Sequence, residues 1–261
     1  MKRRKWLLQQ HKSDADWAVL ENVLHRDEVM EFSTIERAEE AGTHGKEYLP
    51  VGDIPFIDGW LRKNYGRKML PIEVPECLRI AKFLQREYYF TEKRYLPFQS
   101  SLKHFVKNVS GLKVFSSALY GGDMPGWNVL PEGKYLVSGW LDIMSEFRVF
   151  VYHDRILAIQ HYLGMPLVFP DPNRIREMVD RYKEDPGRPG AYTMDVAVSL
   201  DNDCTLHTVI LEVHPFACCG LYGFCEPEIP DMLEEGIRYY TGESNNEAQK
   251  PNIKEEEKVP C

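Results

Sequence analysis

The chain has 261 residues, 43% hydrophobic and 12% aromatic, the balance of a globular protein with enough sequence to bury a core. With 40 acidic against 32 basic residues the formal net charge is −8, the opposite of a general nucleic-acid binder, so nucleic acid is not expected as a partner. No apolar run approaches the roughly 20 residues that cross a bilayer, so no membrane partner is expected and the protein reads as soluble and cytoplasmic.

The basic opening Met1–Lys5 meets an apolar stretch, Trp6-Leu7-Leu8, that stops at Gln9, too early for a signal peptide and suited to a first strand. Thr34, followed by Arg37-Ala38-Glu39-Glu40, predicts a capped helix reaching Ala41. Residues 51–57 read as a strand edge and 58–64 as a short helix. Pro75 to Tyr89, dense in Leu, Ile, Phe and Tyr, reads as a longer helix. Residues 1–96 are thus expected to form a small N-terminal α/β lobe.

From residue 97 the pattern changes to strands and turns. Phe105-Val106-Lys107 is a short apolar strand around a lysine, and Lys113-Val114-Phe115 follows a break at Ser110-Gly111. Gly121 to Gly126 is a loop that suits a lid. Tyr135–Leu141 and Phe147–Tyr152 read as strands, and Ile156–Tyr162 pairs with the latter across His153-Asp154-Arg155. A helix over 172–184 is broken by Asp185-Pro186-Gly187, and a second hairpin joins Tyr192–Ser199 to Thr205–Val213 through Asp201-Asn202-Asp203-Cys204. A last helix spans Ile229–Tyr240; the apolar-poor tail 241–261 is expected to be disordered. The unit 97–240 is expected to be one domain.

The six cysteines, at 77, 204, 218, 219, 225 and 261, form no Cys-x-x-Cys pair. Cys218, Cys219 and Cys225 with His214 offer a zinc reading, but adjacent cysteines chelate one metal awkwardly, and reduced loop thiols explain them better.

The second hairpin carries the chemistry. If its turn centres between Asp203 and Cys204, Asp195 lies opposite Glu212, with Cβ atoms about 5 Å apart on one face. His214, two residues on, points the same way. Opposed carboxylates repel unless a cation lies between them, and magnesium takes one or two carboxylates while filling its shell with phosphate oxygens and water. A one-residue slip would instead send the two acids to opposite faces. Lys107 and Lys113 suit phosphate contacts, or equally snorkel at a sheet edge. Arg148, inside the apolar run Phe147-Arg148-Val149-Phe150-Val151, requires an anion, either a ligand or Glu146 on the same face. There is no Walker A motif and no Gly-x-Ser-x-Gly, which excludes a P-loop and argues against an ordinary serine hydrolase.

In this order, the two lysines, Tyr135-Leu136-Val137-Ser138-Gly139-Trp140, Ser145-Glu146-Phe147-Arg148, Asp195 and Glu212-Val213-His214-Pro215-Phe216 resemble the ATP-grasp superfamily, in particular its clade named for one arginine and two lysines. The resemblance covers about residues 97–240. It implies an α/β fold in which two lobes grip ATP behind a small N-terminal pre-ATP-grasp lobe. It further implies a magnesium-dependent ligase that activates a carboxylate as an acyl-phosphate for attack by an amine, thiol or other nucleophile. Val137, Ser138, Gly139 and Trp140 would form the adenine hinge. Lys107, Lys113 and Arg148 would contact phosphates, Lys107 and Arg148 as catalytic groups, and Asp195 and Glu212 would bind magnesium. His214 stands where many relatives carry asparagine; it would take a phosphate, or a metal with manganese tolerated. The substrate would be a small-molecule or peptide carboxylate. The alternative from another class is an ATP-binding assembly factor with little turnover, acting on a protein partner.

Overall fold

The computed structural model describes residues 3–10, 14–25, 27–69, 73–96, 103–110, 118–120 and 130–242. Lys113-Val114-Phe115, the Gly121–Gly126 loop and the tail beyond residue 242 lie outside the described residues.

The chain begins with β1 (Lys5–Gln9), α1 (Asp14–Leu24), β2 (Glu28–Phe32), α2 (Ile35–Glu40), β3 (Leu49–Val51) and α3 (Ile54–Tyr65). The three strands form a parallel sheet in the order β2-β1-β3. The central strand is buried through Trp6, Leu7 and Leu8, as parallel strands covered on both faces must be. Thr34 caps α2 as expected. The strand edge expected over 51–57 ends at Val51. Asp53 there accepts a hydrogen bond from the Phe56 amide at 3.0 Å, and Pro55 occupies the first turn of α3, so cap and proline start a helix inside the apolar run.

The helix expected over Pro75–Tyr89 is also corrected. The segment forms a single 3-10 turn at Glu76–Leu78, a short α4 (Ala81–Leu84) ended by Gln85 in the left-handed region (φ 50°), and then β4 (Tyr88–Glu92). Tyr88-Tyr89-Phe90-Thr91 is aromatic and β-branched, and sheet pairing outweighs the helical spacing that precedes it. With β5 (His104–Asn108), β6 (Ala118–Tyr120) and β7 (Lys134–Gly139), β4 forms an antiparallel sheet in the order β4-β7-β5-β6.

The third sheet is antiparallel in the order β11-β10-β8-β9, built from β8 (Asp142–Tyr152), β9 (Arg155–Gly164), β10 (Ala191–Leu200) and β11 (Leu206–Pro215). β8 and β9 turn through His153 and Asp154, both at positive φ. β10 lies in the middle and is buried along nearly its whole length. α5 (Pro172–Lys183) packs Ile175, Met178, Val179 and Tyr182 against Phe147, Val149 and Met194 of this sheet. α6 (Ile229–Thr241) is the wedge between the third sheet and the N-terminal one. Met232 and Leu233 share a core with Trp6, Leu8, Phe150 and Phe216, while Ile237 and Tyr240 share another with Leu7, Ile57 and Trp60. The approach is so close that a Cβ at Gly236 would lie 2.0 Å from the Phe216 carbonyl oxygen.

The hairpin register has an unforeseen detail. Leu200 pairs with Leu206 and Val196 with Ile210, which centres the turn on Asp203. The register then shifts, leaving Leu211 as an extra residue on β11, and this bulge restores Asp195 opposite Glu212.

Candidate functional site

On the face below that bulge, Asp195, Glu212 and His214 bring ligand-capable atoms within 4.8 Å of one another. Asp195 and His214 are 3% and 4% exposed, so neither carboxylate nor imidazole is a solvated surface group. Thr193, opposite His214 in the register, lies 2.9 Å through Oγ1 from the imidazole Nε2 and fixes the ring. Among the described residues this is the one such cluster; the thiols of Cys218, Cys219 and Cys225 join no metal-ligating group with His214. Burial pushes the Cys219 thiol up to about 12, so it stays protonated.

Two cations face the cluster. Arg148 on β8 lies opposite Asp195 and donates Nε to Oδ1 at 2.8 Å and Nη2 to Oδ2 at 2.7 Å, a buried two-pronged pair. Its Nη1 donates to the Gly220 carbonyl at 3.1 Å, and the Tyr222 ring lies 5.0 Å from the guanidinium. Burial opposes the charge on Arg148, but its hydrogen bonds to the Asp195 carboxylate outweigh that and hold the guanidinium's pKa above its ordinary value. The anion that Arg148 requires is therefore Asp195, not Glu146, which accepts a hydrogen bond from Tyr162 Oη at 2.7 Å. Lys107 reaches across from β5, its Nζ 3.3 Å from Glu212 Oε2. Burial raises the Glu212 carboxyl, and Lys107 partly offsets that.

A cavity of about 490 Å³ opens between the two antiparallel sheets, where β7 passes into β8. Ser138, Gly139 and Trp140 line one side; Asp195, Leu211 and Glu212 line the other, with Phe105 and Tyr162 between. Val137 does not reach it: the side chain is fully buried with Val106 and Tyr135 in the core of the second sheet. Lys113 lies outside the described residues.

Among the lining residues that sequence reasoning missed, one is a cation. Arg86 donates to Ser138 Oγ at 2.7 Å and to the carbonyls of Leu84 and Ile210 at 2.9 Å each, strapping β7 to β11 across the cavity floor. Burial lowers its pKa to about 10. Within an expected helix it looked like any solvated arginine; the available signal was its place just ahead of Tyr88-Tyr89-Phe90, a strand-like run.

Chemically, two carboxylates and one imidazole nitrogen converging from adjacent strands suit a divalent cation of the magnesium or manganese kind. The Lys107 and Arg148 charges beside them suit the anionic oxygens of a polyphosphate. The donor set and the cavity together therefore fit a metal–nucleotide pair.

A family model described as "ATP-grasp domain, R2K clade family 2" matches residues 83–232. No significant match is found among curated proteins. Among solved structures, the D-alanine–D-alanine ligase of Bacillus anthracis complexed with ATP superposes with a TM-score of 0.55 at 12% identity, over 94% of this chain and 100% of that one. The N5-carboxyaminoimidazole synthetase of Staphylococcus aureus complexed with ADP gives 0.54 at 11% identity, over 93% and 78%. The RimK domain protein ATP-grasp of Sphaerobacter thermophilus gives 0.53 at 14% identity, over 90% and 98%. At these identities the likeness is one of fold, and the fold is ATP-grasp.

Proposed function

We propose, for a chain that belongs to family 2 of the R2K clade of ATP-grasp domains, an ATP-dependent ligase that activates a carboxylate for attack by an amine or related nucleophile. The observation that carries this reading is the convergence of Asp195, Glu212 and His214 within 4.8 Å beside Lys107 and Arg148. ATP is the co-substrate; Ser138, Gly139 and Trp140 would hold its base. Asp195 and Glu212, with His214 beside them, would hold the divalent cation, which would supply neutralisation of the transferring phosphoryl charge.

Lys107 moves its charge between Glu212 in the free protein and a phosphate oxygen in the complex. Lys113 is proposed for the same polyphosphate. Arg148 is held in place by Asp195 and the Gly220 carbonyl, and it orients the γ-phosphoryl group and the incoming carboxylate. A carboxylate oxygen attacks the γ-phosphorus, ADP leaves with the broken P–O electron pair, and an acyl-phosphate results. The nucleophile then forms a bond to the acyl carbon and loses a proton to solvent, and inorganic phosphate departs with the C–O pair. The protein's contribution is mainly position and fixed charge. A small-molecule or peptide carboxylate fits this chemistry.

The route is tested with carboxylates labelled with oxygen-18. Turnover through an acyl-phosphate transfers one labelled oxygen to inorganic phosphate. Label-free phosphate from an actively turning-over enzyme would rule the route out.

A further inference from the structure

Between β11 and α6 the chain makes a tight turn at the edge of the candidate site. The Phe224 amide donates to the Leu221 carbonyl at 2.9 Å, and both central residues have positive φ, 50° at Tyr222 and 86° at Gly223. That is the type I′ pattern, which asparagine or glycine adopts readily and a bulky side chain resists, because its Cβ crowds the backbone. Gly223 suits its place; Tyr222 is strained in its own. Leu221 and Phe224 on either side are buried, so the turn is pinned at both ends and carries the half-exposed Tyr222 ring at its apex.

The ring lies against the reaction centre. It stacks on Tyr162 of β9, centroids 4.9 Å apart and planes 16° from parallel, and Tyr162 is itself tied through Oη to Glu146 Oε2 at 2.7 Å. The Arg148 guanidinium lies 5.0 Å from the Tyr222 centroid and 5.8 Å from that of Tyr162. The ring also folds back over Gly220, where a Cβ would meet Tyr222 Cζ at 3.3 Å. Because the Gly220 carbonyl accepts from Arg148 Nη1, the ring packs beside both partners of that bond.

Asp195 takes the Nε hydrogen and one on Nη2, and Gly220 takes one on Nη1, which leaves one N–H on each terminal nitrogen for a ligand oxygen. The direction of these two groups is set by the guanidinium plane. A two-pronged pair with a carboxylate resists rotation within that plane, but the plane still tilts about the line of the two bonds. A third bond and an aromatic contact oppose the tilt.

We infer that Tyr222 is a positioning residue of the ligase: its ring, held at a backbone conformation that tyrosine disfavours, fixes the guanidinium plane of Arg148 and so aims the two remaining N–H groups at the γ-phosphoryl group. Strain of this kind persists where the surrounding structure over-determines it, and here the ring stack and the buried turn ends do so. The inference rests on the proposed ATP-dependent reading for the phosphate, and on the turn, the ring stack and the guanidinium contact for its geometry.

The test is calorimetry of the full-length protein with ATP and with ADP, each with magnesium, on wild type, Tyr222→Gly, Tyr222→Asn and Tyr222→Phe. Glycine and asparagine suit the turn, so both variants are expected to fold, with thermal melts as the check. Both are expected to bind ATP at least fivefold more weakly than wild type, while binding ADP, which lacks the γ-phosphoryl group, within twofold. Tyr222→Phe keeps the ring and is expected to match wild type with both nucleotides. Equal losses for ATP and ADP would show a merely structural tyrosine, and unchanged ATP affinity in a folded variant would show a ring without influence on Arg148. Either result overturns the assignment, as does Tyr222→Phe binding ATP as weakly as Tyr222→Gly; all three leave the nucleotide reading standing. Folded wild-type protein that binds no ATP removes that reading and the role of Tyr222 with it.

Discussion

Arg148 and Asp195 show what a single pair decides. Both are buried, so each charge depends on the other for its solvation, and removing one leaves an uncompensated ion at a cost of roughly 3–5 kcal/mol. Replacing both with apolar groups removes the problem with the pair. Arg148→Met and Asp195→Leu are therefore expected to be strongly destabilising alone, while the double variant is milder than their sum by about 2–3 kcal/mol in urea unfolding; additive losses would show that the pair is not coupled. The requirement for an anion at Arg148 was legible from its apolar flanks, but the partner was not. Glu146 shares its strand face, whereas Asp195 becomes its neighbour only through the pairing of β8 with β10. Arg86 was invisible for a related reason: its partners lie on three separate segments, at Leu84, Ser138 and Ile210.

At the scale of elements, the β10–β11 hairpin was the most legible part of the chain, because alternation and turn residues are local signals. Asp195 was expected opposite Glu212 and lies there, yet by two compensating departures: a turn centred half a residue earlier and a bulge at Leu211. The turn is built by Asp201, whose Oδ1 accepts the amides of Asp203 and Thr205 and whose Oδ2 meets His207 Nε2 at 2.7 Å. The bond to His207 is the largest influence holding the Asp201 carboxyl below its ordinary value. A depressed carboxylate stabilises the fold above its unfolded pKa, about 3.9, and that contribution is lost as pH falls through the folded value. Asp201→Ala is thus expected to lower the melting temperature at neutral pH, with the gap to wild type narrowing below about pH 4; a gap unchanged in acid would show that the carboxylate charge plays no part. The N-terminal elements were less legible. Apolar runs at 51–57 and 75–89 carry no unambiguous period, and Asp53 with Pro55 in one case, and Tyr88–Glu92 pairing with β7 in the other, settled their form.

At the scale of the molecule, α6 makes the N-terminal sheet part of the whole, since it fills cores under both the first and the third sheets. β4, which precedes the expected boundary near residue 96, pairs with β7 in the second sheet, and these cores also run across that boundary. Arg4 reinforces the wedge from β1's approach, donating Nε to Glu234 Oε2 at 2.6 Å and pairing also with Asp231. Burial pushes the Glu234 carboxyl up, but the bonds from Arg4 and Arg238 outweigh it and leave the carboxyl below its ordinary value. Arg4→Met is expected to cost about 1–2 kcal/mol at neutral pH, and the loss should shrink as pH falls below the ordinary glutamate value of about 4.3, where protonation removes the same bond. An equal loss at pH 7 and pH 3 would contradict this. No helix among the described residues is long and apolar enough to cross a membrane. The central claim, that ATP and a divalent cation meet between the second and third sheets, is tested most directly by calorimetry of ATP with and without magnesium or manganese. Wild-type protein is compared with Asp195→Asn plus Glu212→Gln, changes that keep shape and remove charge. The account predicts saturable, cation-dependent binding that the paired substitution weakens at least tenfold, whereas folded wild-type protein that binds no nucleotide, or binds it equally after the substitution, would contradict it.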